Sequence, residues 1–311
     1  MRIGVLLPTR NAGAQWRRCL EGLRRQTQHV HRVLVIDSSS TDDTRAIAEA
    51  FGCEVIVIDQ ADFDHGGTRQ LGVTALADCD IVICITQDAI LDDPTSLAKL
   101  CSAFADVDVG AAWGAQQPHA DATPLAKHAR SFNYSTASRV VTYADRVHLG
   151  LKCAFASNSY CAWRTSALAR IGGFEPATLF GEDMLAAAKL LRDGWKIAYQ
   201  ADALIFHSHN YSALQEFKRY FDIGSFHQTE SWLIREFGNI GGEGMRFIRS
   251  EHQFLAGHGI IWHAKAILHT AAKFAGYRLG LLSAHLPTTL CTMLSMNPGW
   301  WAHLNKRHRA E

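Results

Sequence analysis

Residues 81–89 read IVICITQDA, and they decide the fold of this 311-residue chain. The apolar run at positions 81–85 is too short for a helix and rich in β-branched residues, which predicts a strand buried on both faces, as in a parallel sheet. The chain then becomes polar at Thr86, Gln87 and Asp88. Open α/β sheets bind ligands outside the carboxyl ends of their strands, so Asp88 can meet a metal ion there. Taken alone, a cap on the next helix is the better interpretation of Asp88.

Length and composition describe an ordinary globular protein, large enough for one α/β domain with a C-terminal extension. Hydrophobic residues make up 48% and charged residues 20%, and the net charge of +1 indicates no nucleic-acid partner. Residues 246–311 differ, because eight Lys or Arg stand there against two Glu. This local excess suits either an anionic surface or a solvated helix face.

The cysteines and the apolar segments predict a cytoplasmic protein without a transmembrane helix. The eight cysteines form no CxxC pair, and several lie in apolar runs, as small buried hydrophobic residues do. A signal peptide is not recognisable, which favours a reducing compartment. An apolar run of about 18 uncharged residues, the minimum for a membrane-spanning helix, is also missing.

Strand-like and amphipathic segments alternate from the first residue. The predicted strands are residues 2–7, 32–36, 54–58 and 81–85. Their βαβα order implies a parallel sheet with right-handed crossovers.

Polar residues follow each of these four strands. They are PTRN at 8–11, DSSS at 37–40, Asp59, and TQD at 86–88. Parallel strands place these groups at one edge of the sheet, where short polar side chains and carboxylates fit a nucleotide and a metal fits its diphosphate. The Rossmann glycine fingerprint and the P-loop are both missing, which argues against a dinucleotide-dependent dehydrogenase.

Residues 62–72, DFDHGGTRQLG, lie between the third and fourth strands. Gly66 and Gly67 let the backbone approach a ligand, and Arg69 emerges in the first turn of a helix. A guanidinium there can bind a phosphate or stack on a base. A glycine turn followed by a surface arginine is the alternative.

Two later segments contribute to the candidate catalytic site. Residues 155–164, FASNSYCAWR, predict a strand that runs to the same edge. Glu182 and Asp183 open the helix after it, and a carboxylate beside another acid can act as a general base. Ordinary acidic enrichment of a first helical turn is the alternative.

His207 and His209 follow a short strand. Either can supply a nitrogen ligand to a metal shell that is short of carboxylates. Residues i and i+2 of a strand face the same side, so only one class of conformation lets both bind. A buried histidine satisfied by hydrogen bonds is an equally good interpretation.

Beyond Ser212 the pattern becomes helical, basic and aromatic. We predict a domain over residues 1–225 and a helical extension over 226–311. Helices of this type can lie at a membrane interface, although packing on their own domain is commoner. The cations expected to contact anionic lipid are Arg246, Arg249, Lys265 and Lys273.

PTRN, VIDSSSTDDT, HGGTRQLG and TQDA, in this order and spacing, resemble an inverting family 2 glycosyltransferase of GT-A fold. HGGTR followed by TQDA is similar to bacterial rhamnosyltransferases that use dTDP-rhamnose. The resemblance covers residues 1–225. It implies an α/β fold with a mainly parallel central sheet, followed by the helical extension.

The resemblance also implies roles for individual residues. Asp183 deprotonates the acceptor hydroxyl, with Glu182 as a supporting acid, and Asp88 takes the last carboxylate position of the DxD element. The residues predicted to bind the nucleotide-sugar are Thr9, Asn11, Asp37, Asp59, Gly67, Arg69, Gln87 and Asp88.

A divalent metal, Mg²⁺ or Mn²⁺, is predicted with Asp88 and His207 as ligands. The sequence departs from the family at this point, because Thr86 stands where the first Asp of DxD would be and Ala89 follows Asp88. Fewer carboxylates weaken divalent binding.

The expected function is transfer of L-rhamnose from dTDP-rhamnose, with inversion, onto a cell-surface glycan or its polyprenyl-linked precursor. Such acceptors imply peripheral contact with the cytoplasmic face of the inner membrane. A UDP-sugar-dependent enzyme of the same fold is the nearest alternative. A non-catalytic nucleotide-sugar or glycan-binding scaffold is the alternative from another class, although a scaffold needs no base at position 183.

Overall fold

Eight β-strands form one sheet in the part of the chain that a computed structural model describes, which is residues 1–238 and 242–307, with side chains described to residue 302. The strands are β1 (Ile3–Thr9), β2 (Arg32–Asp37), β3 (Glu54–Val57), β4 (Ile81–Ile85), β5 (Val109–Gln117), β6 (Arg139–Val141), β7 (Tyr160–Arg164) and β8 (Lys196–Phe206). Across the sheet their order is β3-β2-β1-β4-β7-β5-β8-β6.

The first four strands are those that the sequence predicted. β1 pairs in parallel with β2 and β4, and β2 pairs in parallel with β3. On β4, Val82 and Cys84 pack into the core on one face of the sheet, and Ile81, Ile83 and Ile85 pack into the core on the other. The prediction of a strand buried on both faces is confirmed.

Helices cover both faces of this sheet. The α-helices among the described residues are α1 (Trp16–Arg24), α2 (Thr44–Ala50), α3 (His65–Ala75), α4 (Ser96–Ser102), α5 (Pro124–Asn133), α6 (Arg146–Leu149), α7 (Thr165–Arg170), α8 (Glu182–Arg192), α9 (Ala213–Thr229), α10 (Ser231–Phe237), α11 (Glu243–Phe254), α12 (Ile260–Gly280), α13 (Thr288–Leu294) and α14 (Pro298–Arg307). Side chains of α1, α2 and α4 fill the core on one face, and those of α3, α7, α8 and α10 fill the core on the other.

One antiparallel strand joins the two halves of the sheet. β7 runs antiparallel to β4 on one side and to β5 on the other, and β8 is parallel to β5. β4, β5 and β8 therefore point the same way, and their carboxyl ends meet the amino end of β7 at one edge. An isolated antiparallel bridge between Ile90 and Phe206 draws the ends of β4 and β8 together.

The C-terminal helices pack closely on one another and on the sheet. A Cβ at Gly276 of α12 would lie 2.2 Å from the Phe217 carbonyl oxygen of α9, so glycine lets the two backbones touch. The predicted division after residue 225 lies inside α9, and Phe226 packs into the core of the sheet. Among the described helices, none is both long enough and apolar enough to span a bilayer.

Candidate functional site

Asp37 ends β2 beside Thr9 of β1, as the parallel register requires. Its buried carboxylate accepts hydrogen bonds from the Ser40 amide at 2.9 Å, from the Ser40 hydroxyl and from Thr9 Oγ1 at 3.4 Å. These bonds fix the orientation of the carboxylate. Because each carboxylate oxygen has two lone pairs, Asp37 keeps the capacity to accept a further N–H, such as one from a nucleotide base.

Asn11 and Gln87 hold neighbouring loops together at the same edge. Asn11 has a φ of 43°, a left-handed conformation that Asn tolerates, and its Oδ1 accepts the Thr41 amide at 2.8 Å. Gln87 accepts the Arg10 amide at 2.8 Å and donates to the Arg10 carbonyl at 3.2 Å. Both side chains therefore shape the edge where a nucleotide is predicted.

Gly67 and its neighbour Gly66 serve the packing of α3. The Gly67 amide donates to Asp64, the N-cap of α3, at 2.7 Å. A Cβ on Gly66 would lie 1.8 Å from the Glu175 carbonyl oxygen. The close approach predicted for Gly66 is therefore made to the chain's own backbone. Asp59 is exposed two residues after β3, and its side chain caps no helix.

Arg69 lies in a buried ion pair. Its Nη1 is 2.9 Å from Glu182 Oε1, and both side chains are 7% exposed. Nη1 also donates to the His65 carbonyl at 3.1 Å. The guanidinium is thus engaged by Glu182, and the nucleotide contact expected of Arg69 stays a prediction.

Glu182 is held in its ionised form by this pair. Burial favours the neutral acid, but the charge of Arg69 and the hydrogen bonds to the carboxylate together outweigh burial, so the pKa of Glu182 is lowered. Asn158 adds a hydrogen bond from its Nδ2 to Glu182 Oε1 at 3.0 Å, and its own Oδ1 accepts Trp163 Nε1 at 2.8 Å. Glu182 is therefore a fixed negative charge.

Asp183, the next residue, remains half-buried at the start of α8. Its carboxylate accepts the Asn158 amide at 2.9 Å and the Met184 amide at 2.8 Å. Burial and the adjacent charge of Glu182 raise the pKa of Asp183 to about 7. A carboxylate with a pKa near neutrality is suited to general-base catalysis.

Asn158 was missed by reasoning from the sequence. It lies within residues 155–164, which were predicted as a strand, whereas β7 begins at Tyr160. The residues before the strand instead reach the edge beside Asp183. The polar run Ser157-Asn158-Ser159 ahead of the strand was the one available signal.

Asp88, His207 and His209 come together after the ends of β4 and β8. His207 Nε2 lies 3.5 Å from Asp88 Oδ1, and His209 Nε2 lies 3.7 Å from Asp88 Oδ2. Their ligand atoms all fall within 4.8 Å of one another, the one such group of three among the described residues. The sequence offered His207 or His209, and the structure brings both to Asp88.

A hydrogen-bond chain orients His207. Gln116 Nε2 donates to Ser157 Oγ at 3.1 Å, so Gln116 Oε1 faces His207 Nδ1 at 2.8 Å. This assigns the proton to Nδ1 and turns the lone pair of Nε2 toward Asp88. A lone pair and a carboxylate that face one another fit a cation between them. Burial lowers the pKa of His209 to about 4, which leaves its imidazole neutral and able to ligate.

Asp88 supplies the carboxylate of this group. One carboxylate and two imidazoles are a donor set that fits a divalent transition metal. The departure from DxD at Thr86 is therefore accompanied by two imidazoles that follow β8.

Two known glycosyltransferases are similar to this chain over nearly its whole length. The O-antigen chain rhamnosyltransferase RfbN of Salmonella typhimurium strain LT2 is 44% identical over 98% of this chain and 97% of its own length. The O-antigen chain rhamnosyltransferase WbaN of Salmonella anatum is 44% identical over 96% of both chains.

Solved structures confirm the fold. The mannosyltransferase PcManGT from Pyrobaculum calidifontis, in complex with GDP-Man and Mn²⁺, has a TM-score of 0.56 at 16% identity and covers 97% of this chain and 85% of its own. TarS 1–349 of S. aureus, in complex with UDP-GlcNAc, has a TM-score of 0.55 at 15% identity over 92% of both chains. The GT-A architecture that the sequence resemblance implied is thus confirmed.

The family assignment rests on the chain itself. Residues 4–172 match the family described as Glycosyl transferase family 2. The matched segment begins in β1 and extends beyond β7, so it includes the nucleotide edge and Asp88. Together with the near full-length relatives, this match shows that the chain belongs to glycosyl transferase family 2.

Proposed function

We propose that this glycosyltransferase moves L-rhamnose from dTDP-rhamnose onto a growing O-antigen glycan. The observation that supports this proposal is the 44% identity, over nearly the whole chain, to two O-antigen chain rhamnosyltransferases. Asp37 ends β2 at the carboxyl edge of the sheet, and Asp183 lies beside Asn158 at the same edge. A polyprenyl-linked glycan at the cytoplasmic face of the inner membrane is the acceptor that we propose.

The proposed reaction is a single in-line displacement. The acceptor hydroxyl oxygen attacks C1 of the sugar, and its proton passes to Asp183. The bond from C1 to the diphosphate oxygen breaks, and the nucleoside diphosphate leaves with the electron pair, so the configuration at C1 is inverted. Burial and the charge of Glu182 keep the pKa of Asp183 raised, which makes Asp183 a better proton acceptor than an ordinary aspartate.

A calorimetric screen of dTDP, UDP and GDP, followed by transfer assays with the matching sugars, tests this function. We expect dTDP to bind most tightly to the wild type and Asp37→Ala to weaken it. Asp202→Ala, at an exposed carboxylate on β8, is the matched control. Preference for UDP would establish the rival donor, and binding without donor turnover would support the scaffold alternative.

We propose Mn²⁺ as the metal and Asp88, His207 and His209 as its protein ligands. Mg²⁺ takes oxygen ligands, so two imidazoles disfavour it. When bound, the ion neutralises charge that develops on the departing diphosphate. Asp88 follows β4 at the same edge of the sheet as Asp37, which supports a role for the ion beside the donor diphosphate.

Removal of a ligand should abolish Mn²⁺ binding. We expect Asp88→Ala to lose the site, and Gln116→Ala, which frees His207 to rotate, to weaken Mn²⁺ about 10- to 100-fold. Mn²⁺ titrations followed by electron paramagnetic resonance measure both effects without the need for activity. His148→Ala, at a histidine outside the group, is the control. If the wild-type protein binds no Mn²⁺, the metal site is wrong, and Asp88 and the histidines only interact with one another.

The outward face of α12 supports peripheral membrane contact. Ile260, Ile267 and Phe274 are 80%, 61% and 67% exposed, and Lys265 is exposed on the same helix. Lys273, which the sequence assigned to lipid contact, is turned inward, where it lies 3.5 Å from Glu216 and is 18% exposed. We propose that α12 lies in the interface of an anionic membrane through its apolar stripe.

A negative charge introduced on the apolar face of α12 should release the protein from vesicles. Phe274→Glu removes a side chain whose burial is worth about 1.5–3 kcal/mol, so co-sedimentation should fall about tenfold or more. Val147→Glu, at an exposed apolar residue of α6, is the matched control. Binding should also weaken with salt, because exposed charges are screened beyond about 10 Å at 0.1 M. Wild-type protein that fails to sediment at low salt would leave α12 as a structural helix.

A further inference from the structure

Two arginines lie beside the Asp88 group and have no role in the mechanism so far. Arg130, in the last turn of α5, donates from Nε to the His207 carbonyl at 2.6 Å. Arg219 of α9 has its guanidinium carbon 5.9 Å from the ring centre of Phe180 and 6.0 Å from that of Tyr211. The two side chains thus flank the ends of β4 and β8 from neighbouring helices.

Neither guanidinium forms an ion pair in the described part of the chain. Among the described residues, no carboxylate lies within 4 Å of Arg130 or Arg219, whereas Arg69 has Glu182. Both arginines are half-buried. Positive charges that are removed from water without a partner are costly, which is typical of a site completed by an anionic ligand.

We propose that Arg130 and Arg219 together bind the diphosphate of the nucleotide-sugar donor beside Asp88. The planar guanidinium presents paired N–H groups that match phosphate oxygens. Arg69 cannot meet this need while it pairs with Glu182. The inference rests on the proposed function only in that the donor is a sugar linked to a nucleoside diphosphate.

The arginines act on the leaving group during transfer. As the bond between C1 and the diphosphate oxygen breaks, the electron pair remains on that oxygen, and negative charge grows there. N–H groups of Arg130 and Arg219 donate to the diphosphate and stabilise this charge, while the acceptor proton goes to Asp183. The pair therefore contributes to donor affinity and to the rate of bond cleavage.

Calorimetric titration of dTDP and of UDP into the full-length variants tests the pair. Arg130→Gln and Arg219→Gln should each weaken both nucleotides by about tenfold or more, the loss of one charge-assisted hydrogen bond. Arg219→Lys should recover part of the affinity. Arg139→Gln is the matched control, because Arg139 also lies over an aromatic ring, that of Tyr199, on exposed β6.

Titration of both dTDP and UDP distinguishes a failure of the arginine proposal from a failure of the proposed donor. Tighter binding of UDP than dTDP by the wild type, with both weakened in the arginine variants, would overturn dTDP-rhamnose as donor and support the arginine pair. Unchanged affinity for both nucleotides in folded variants would overturn the pair. A lipid-linked acceptor can also present a diphosphate, so farnesyl diphosphate is titrated as well. Loss of farnesyl diphosphate binding alone would assign the arginines to the acceptor and overturn the donor contact.

Discussion

Replacement of Asp183 by Asn is expected to lower the rate of transfer about 10²- to 10⁴-fold while donor affinity is retained. Asn has nearly the same size, and its Oδ1 can still accept one of the two amides that the carboxylate accepts, that of Asn158 or that of Met184. It cannot accept the acceptor proton at neutral pH. Single-turnover transfer rates and calorimetric donor affinities, measured on the same preparation, check both parts.

The pH dependence of transfer gives a second measure of Asp183. Its pKa of about 7 means that the carboxylate is protonated, and inactive as a base, below that pH. The wild-type rate should therefore rise as pH increases through about 7, and Asp183→Asn should lose this rise. Glu182→Gln removes the neighbouring negative charge, so it should move the rise to lower pH.

The pair of variants also shows which acid is the base. Near-native transfer by Asp183→Asn, together with loss of transfer in Glu182→Gln, would reverse the roles of the two residues. A double variant no worse than Asp183→Asn would leave Glu182 without a substituting role. If neither single variant affects transfer, the base lies elsewhere.

Replacement of Arg69 by Ala is expected to lower the free energy of unfolding by about 3–5 kcal/mol, because it leaves Glu182 as a buried charge without a partner. Urea denaturation, with the midpoint and slope compared to wild type, measures this loss. Arg170→Ala is the control, since its pair with Asp193 is at the surface and such pairs contribute about 0–1 kcal/mol.

A double variant separates charge burial from packing. Arg69→Met with Glu182→Gln removes both charges, so it should be more stable than either single variant. Full stability of Arg69→Ala, with loss of dTDP affinity, would instead support the nucleotide contact that the sequence predicted for Arg69. The structure makes the ion pair the first expectation, because both side chains are almost fully buried.

The sequence by itself determined the first four strands of the sheet and the edge at which they end. The run at 81–85 is buried on both faces, and each of the four predicted strands is present within two residues at either end. Asp37 and Thr9 meet because parallel strands of similar length end at one edge. These features depend on local periodicity and on short crossovers, which a sequence displays directly.

Only the tertiary structure decided how the second half completes the site. The antiparallel insertion of β7 brings Asn158 beside Asp183, and it sets β8 where His207 and His209 reach Asp88. Arg69 was expected at the nucleotide because it follows Gly66 and Gly67 in the first turn of a predicted helix, where a guanidinium can bind a phosphate. Its partner Glu182 lies far along the chain, and only the packing of α3 against α8 creates the buried pair. Contacts between distant segments depend on strand order and helix packing, and the local periodicity of a sequence predicts neither.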